Sequence, residues 1–215
     1  MKYSDDQQLV SISWLELKPN EQIGGNIESF EDYYNRLRMK HLYSHIPKEV
    51  YEQWICPLHS NCDTRENYGW INYRYATFDL VEIESELIPK LNVIPGYRSY
   101  VHDLSELNSY NDFKHSKQDV KHWMQNRSWR VPPIVLDCST VDFGAKPQWS
   151  HIEGEYQLIE GHSRVGYWKA INKFSNGSLS FNNTRHFIWM MKCNQTVREE
   201  NYQQTNSDEF YLDQI

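Results

Sequence analysis

The stretch from Tyr156 to Ala170, YQLIEGHSRVGYWKA, constrains the fold most, because its hydrophobic period changes inside one short unit. Tyr156 to Ile159 reads as a short strand, whereas Ser163 to Ile171 has apolar spacing that fits a helix. Two further apolar runs flank this unit. Val131 to Asp137, VPPIVLD, reads as a short strand after a double proline, and His186 to Met191, HFIWMM, reads as a buried strand. Strands mixed with helices in this order predict an α+β chain built on a small sheet.

The rest of the chain is less regular. Leu9 to Leu17 alternates β-branched and aromatic residues and ends at Lys18-Pro19-Asn20, which reads as a strand running into a turn. Ser29 and Asp32 form a cap signal for a helix carrying Phe30, Tyr33, Tyr34 and Leu37. Pro47 suits the first turn of a second short helix through about Ile55, which Pro57 is expected to stop. Tyr73 to Ile83 reads as a strand and Pro89 to Gly96 as a loop. Ser116 and Asp119 cap another helix, with Val120, Trp123 and Met124 as its stripe. Asn176-Gly177 marks a turn, and Asn194 to Ile215 reads as a polar, acidic surface segment or tail. With 215 residues, 15 Tyr and 8 Trp, the chain fills a sizeable core largely with aromatic rings, as one domain carrying a large insertion.

The turn Glu160-Gly161-His162-Ser163-Arg164 holds the candidate chemistry. A helix N terminus presents unpaired N–H groups and a partial positive charge, so a strand-to-helix turn is a ready anion site. Gly161 lets the backbone approach a phosphate, Arg164 offers a fork of donors, and His162 and Ser163 add hydrogen bonds. Glu160 could hold a magnesium ion (Mg2+) or accept a proton. On spacing alone, a tight turn whose arginine makes an ion pair explains the same residues equally well.

Together, PPIVLD (132–137) and YQLIEGHSRVGYWKA (156–170) resemble the paired signature of the ParB/sulfiredoxin superfamily. There an apolar strand precedes a second strand that ends in Gly-His-x-Arg or a near variant. ISWLELKPNEQI (12–23) is similar to the superfamily's first strand and its Pro-containing turn. The likeness covers about residues 9–30 and 130–192. It implies a ParB-like domain over 1–192 with a mostly helical insertion at about 40–128, followed by the polar segment 193–215.

By motif position the resemblance gives Glu21 and Glu160 the catalytic or metal-binding places that free-serine kinase relatives fill, with His162 beside them. Glu160 stands where those relatives have Asp. Gly161 stands where sulfiredoxin has its catalytic Cys, so sulfiredoxin is the poorer match. The resemblance implies a nucleotide (ATP, ADP or CTP) with Mg2+, held at Gly161, His162, Ser163 and Arg164, and hydrolysed or used for phosphoryl transfer. A nucleotide-sensing module that contacts a protein partner through the insertion, in a defence or mobile-element setting, is one alternative. A nuclease is another.

A net charge of −7 repels phosphate backbones and speaks against broad nucleic-acid binding and against a partition role. The start MKYSDDQQ lacks an apolar signal region, and no run of about 18 apolar residues occurs, which predicts a soluble cytoplasmic chain without a membrane span. Cys56-x-x-His59-x-x-Cys62 offers zinc-ligand chemistry, with His41 or His45 as a fourth partner, but the spacing also suits a loop with reduced thiols. Arg127 to Arg130, with Lys121, form a basic cluster that could border a phosphate site or end a solvated helix.

Overall fold

A computed structural model describes residues 10–21, 27–175 and 185–193. Asn176-Gly177 and the segment from Asn194 lie outside the described residues. Four strands form one mixed sheet: β1 (Ala76–Glu84), β2 (Ile134–Asp137), β3 (Tyr156–Glu160) and β4 (Arg185–Cys193), in the order β1-β4-β2-β3. β1 pairs antiparallel with β4 along its whole length, from Ala76 opposite Cys193 to Glu84 opposite Arg185. β4 runs parallel to β2, and β2 pairs antiparallel with β3 across a register shift at Ile134 and Val135.

The described helices are α1 (Ile12–Glu16), α2 (Phe30–Arg38), α3 (Lys48–Val50), α4 (Cys56–Leu58), α5 (Cys62–Tyr68), α6 (Pro95–Ser105), α7 (Lys117–Asn126) and α8 (His162–Phe174). The fold is α+β, with helices on both faces of the sheet. Strand side chains point alternately to the two faces, and the central strands split accordingly. Ile134, Leu136, Ile159 and Met191 join Trp14, Leu37, Trp54 and Tyr68 from α1, α2, the α3–α4 helix and α5. Val135, Leu158, Ile188 and Met190 join Val101, Trp123 and Val165 from α6, α7 and α8. Because β2 and most of β3 are buried on both faces, their sequences read as continuous apolar runs. Residues 40–128 thus supply the edge strand β1 and helices to both faces. No described helix is long and apolar enough to cross a membrane.

Several expectations hold. Ser29 Oγ accepts the Asp32 N–H and Ser116 Oγ accepts the Asp119 N–H, as the cap signals predict. Others need correction. The expected first strand is α1: Ser11 caps it by accepting the Trp14 N–H, and Trp14 and Leu17, three residues apart, are both fully buried. Its alternating pattern also contained this helical pair, and packing among Trp54, His59 and Tyr73 selects the helix. The helix after Pro47 does not stop at Pro57 but reaches Leu58. A π-helical turn over Tyr51–Ile55 shifts the bonding ladder just before the proline, which has no N–H to contribute. Pro95 and Gly96, expected in a loop, open α6, since proline suits a first helical position.

Candidate functional site

The Glu160–Arg164 turn joins β3 to α8, and Pro133 on the approach to β2 fixes its shape. Gly161 has φ +105°, and a Cβ added there would stand 2.5 Å from Pro133 Cβ, so only glycine makes this turn without strain. Val165 N–H donates to Gly161 O at 3.0 Å, which starts the helical ladder. Gly161 has no side chain to cap the N–H groups of the first turn, so α8 begins with donors that no cap residue takes up. The 13-residue α8 packs along α6: Gly166 lies against Leu104 and the Val101 carbonyl, while Tyr97 lies against His162. The helices are therefore parallel, and their positive ends emerge together. Asp63 of α5 sits at the α6 end, its carboxylate 3.1 Å from where a Gly96 Cβ would stand.

Within the turn the charged groups hold one another. Arg164 Nη2 donates to Glu160 Oε1 at 2.9 Å and Nη1 donates to the Val131 carbonyl at 3.2 Å. Burial raises the Glu160 pKa, but His162 and Arg164 outweigh it and hold the carboxyl below its usual range. Burial pulls the Arg164 guanidinium down, against the pull of Glu160. The His162 ring stacks on Tyr97 at 4.2 Å between centroids, with Nδ1 3.9 Å from Glu160 Oε2. Two buried donor or acceptor atoms remain without partners, His162 Nε2 and Arg164 Nε. Ser163, half-buried, has no side-chain hydrogen bond to another described residue.

The residues expected to act together are only partly brought together. Glu160, Gly161, His162, Ser163 and Arg164 share one turn, with Arg164 turned inward onto Glu160. Glu21 is exposed on the connection between α1 and α2, and its ion pair is with Lys18 at 2.9 Å. The cavity it lines is formed with Leu15, Glu16, Arg36 and Lys40, and no residue of the α8 turn belongs to it. Sequence reasoning missed Tyr97 and the Val131 carbonyl, which reach the site from other elements. A Gly96-Tyr97 pair just after a proline was their only signal.

Cys56 is buried, Cys62 is exposed, and His59 Nε2 bonds the Trp14 carbonyl at 2.7 Å, so the three do not converge. Among the described residues no group of three or more His, Cys, Asp or Glu could hold a metal ion. In the basic cluster, Arg130 Nε donates to Asp119 Oδ1 at 2.7 Å, and Arg127 ends α7 in the left-handed conformation. Comparison with protein-family models, with curated proteins and with solved structures finds no match for this chain.

Proposed function

We propose that this chain binds a nucleotide of the ATP, ADP or CTP kind through its phosphates at the start of α8, as a ParB-like protein. The observation that carries the reading is the uncapped first turn of a long helix beginning at Gly161, with the unpartnered Nε2 of His162 and the Ser163 hydroxyl beside it. Phosphate oxygens would accept from the backbone N–H groups and from Ser163 and His162. Arg164 then has a different part from the one expected of it. Held by Glu160 and Val131, it is a positioning residue that fixes the turn and lends it charge from behind.

The donor set does not make a magnesium site, because Glu160 is already paired with a guanidinium and, among the described residues, no second carboxylate joins it. Mg2+ would arrive on the nucleotide. The same prior pairing, with Glu21 on another loop, favours nucleotide sensing over hydrolysis or phosphoryl transfer. A protein partner then reads the bound state.

Replacing Ser163 with Asp tests the site without emptying the core. An acidic residue in a first turn complements the helix dipole, so the fold is kept, while its charge repels a phosphate. Nucleotide raises the melting temperature of the wild-type chain and not of Ser163→Asp. Phosphate release without added partner would favour the enzyme over the sensor, and identical shifts for both chains remove the site.

A further inference from the structure

A second cleft lies on the other side of α5, between α1 and the turn that follows α4. It has a volume of about 570 Å3 and is lined by Val10, Trp14, Leu15, Lys18, His59 and Arg65, with Ser60 at its edge. This is within the range of small-molecule sites, on the order of 300–1,000 Å3. Its charge is one-sided. Lys18, Arg65 and the titratable His59 are the ionisable groups of the lining, and among the described residues no carboxylate belongs to it, in a chain whose net charge is −7.

Arg65 is the charged member with an unmet donor, as Trp14 Nε1 is the neutral one. Arg65 Nε is buried without a hydrogen-bond partner, and no described carboxylate pairs with its guanidinium. A buried donor left unmade is unfavourable, so such a fork is normally matched by an acceptor. His59 joins the site only in its protonated form. Its ring stacks on Trp14 at 4.6 Å with planes 8° apart, and its Nε2 donates to the Trp14 carbonyl, so Nδ1 is an acceptor in the neutral ring and becomes a donor to an anion only when the ring takes up a proton. Val10 and the exposed Leu15 add apolar surface beside these cations.

We propose that this cleft binds a small molecule with an anionic head, a carboxylate or a phosphate monoester, carried on an apolar body. The head lies against Arg65 and Lys18, and the body lies along Val10 and Leu15. Lys18 leaves its exposed partner Glu21 to join it. The site shares no residue with the α8 turn, so it stands or falls separately from nucleotide binding.

The test is calorimetric titration of the whole chain with phenyl phosphate and with benzoate, with phenol as the uncharged control. At least one anion binds at about 1 mM or better, phenol does not, and the tighter anion names the head group. Arg65→Gln weakens that binding by about tenfold or more, as expected for a lost charge-assisted contact. Ser163→Asp leaves it unchanged. If Arg65→Gln fails to fold, the exposed Lys18→Gln takes its place, with a loss of a few-fold expected. In parallel, the anion raises the His59 pKa, which burial holds below its usual value, as read by NMR titration. Absence of binding by both anions, or wild-type affinity in Arg65→Gln or in its Lys18→Gln substitute, overturns the proposal.

Discussion

Arg164 stands in the first turn of α8 and Arg65 in the last turn of α5; each keeps a buried Nε without a partner, but only Arg164 is held by an ion pair and a carbonyl. Arg164 of α8 is buried against Glu160 and the Val131 carbonyl, and its charge is used inside the fold. Arg65 of α5 lines a half-open cleft and has no ion pair to a described residue. A paired buried cation holds a shape, whereas an unpaired one at a cleft is available to a ligand. The α8 turn therefore depends on its own charges for its geometry and offers backbone donors outward, while the α5 cleft offers side-chain cations directly.

The contrast breaks first at Glu160. Removing one partner of a buried pair leaves an uncompensated charge, so Glu160→Gln should destabilise the chain by about 3–5 kcal/mol in denaturant unfolding. Wild-type stability would mean that Arg164 is not held as described. Gly161→Ala should cost about 2–4 kcal/mol, from a left-handed φ and a Cβ driven against Pro133.

Acid should also attack the sheet and its α7–α8 face. His186 is buried between Ser85 and Ser128, and burial lowers its pKa to about 4. Its folded pKa lies below its unfolded value, so the stability it contributes is present above about pH 6.5 and lost as pH falls toward about 4, about 3 kcal/mol in all. For Asp119, burial raises the pKa, but bonds from Ser116, Arg130 and His115 outweigh it and bring the pKa down to about 2. Its contribution of about 2 kcal/mol is lost below about pH 4. Urea midpoints measured from pH 7 to pH 3 check both, and His186→Gln should flatten the upper part of that profile.

Ser116→Ala removes the α7 cap and should cost about 1 kcal/mol in the same assay. Arg65→Gln should change stability least, by less than about 1 kcal/mol, because no ion pair is broken. A large loss there would make Arg65 a structural residue like Arg164.

The strands β2 and β3 were legible because central strands buried on both faces leave continuous apolar runs, β4 because its apolar run stands out although Phe187 is exposed, and α8 because its stripe follows directly on the turn. The N-terminal half was harder. Its core is made of tyrosines and tryptophans whose polar ends bond distant carbonyls, as Tyr33 OH does with Leu17 O and Tyr68 OH with Leu158 O. Period in the sequence does not report such contacts, so α1 read as a strand and α5 was not read at all. The site shows the same division. The turn was visible, and an ion pair of its arginine was one of the two readings, but not that Arg164 turns inward onto Glu160, which the Val131 carbonyl and burial decide.

The central claim is that the start of α8 receives phosphate. Its most direct measurement is calorimetric titration of ATP, ADP and CTP, with and without magnesium, into the wild-type chain and Ser163→Asp. The account predicts binding of at least one nucleotide by the wild type, and affinity weakened by about tenfold or more in Ser163→Asp, whose melting temperature is not lowered. No nucleotide binding by the wild type, or equal affinity in the two chains, would contradict it.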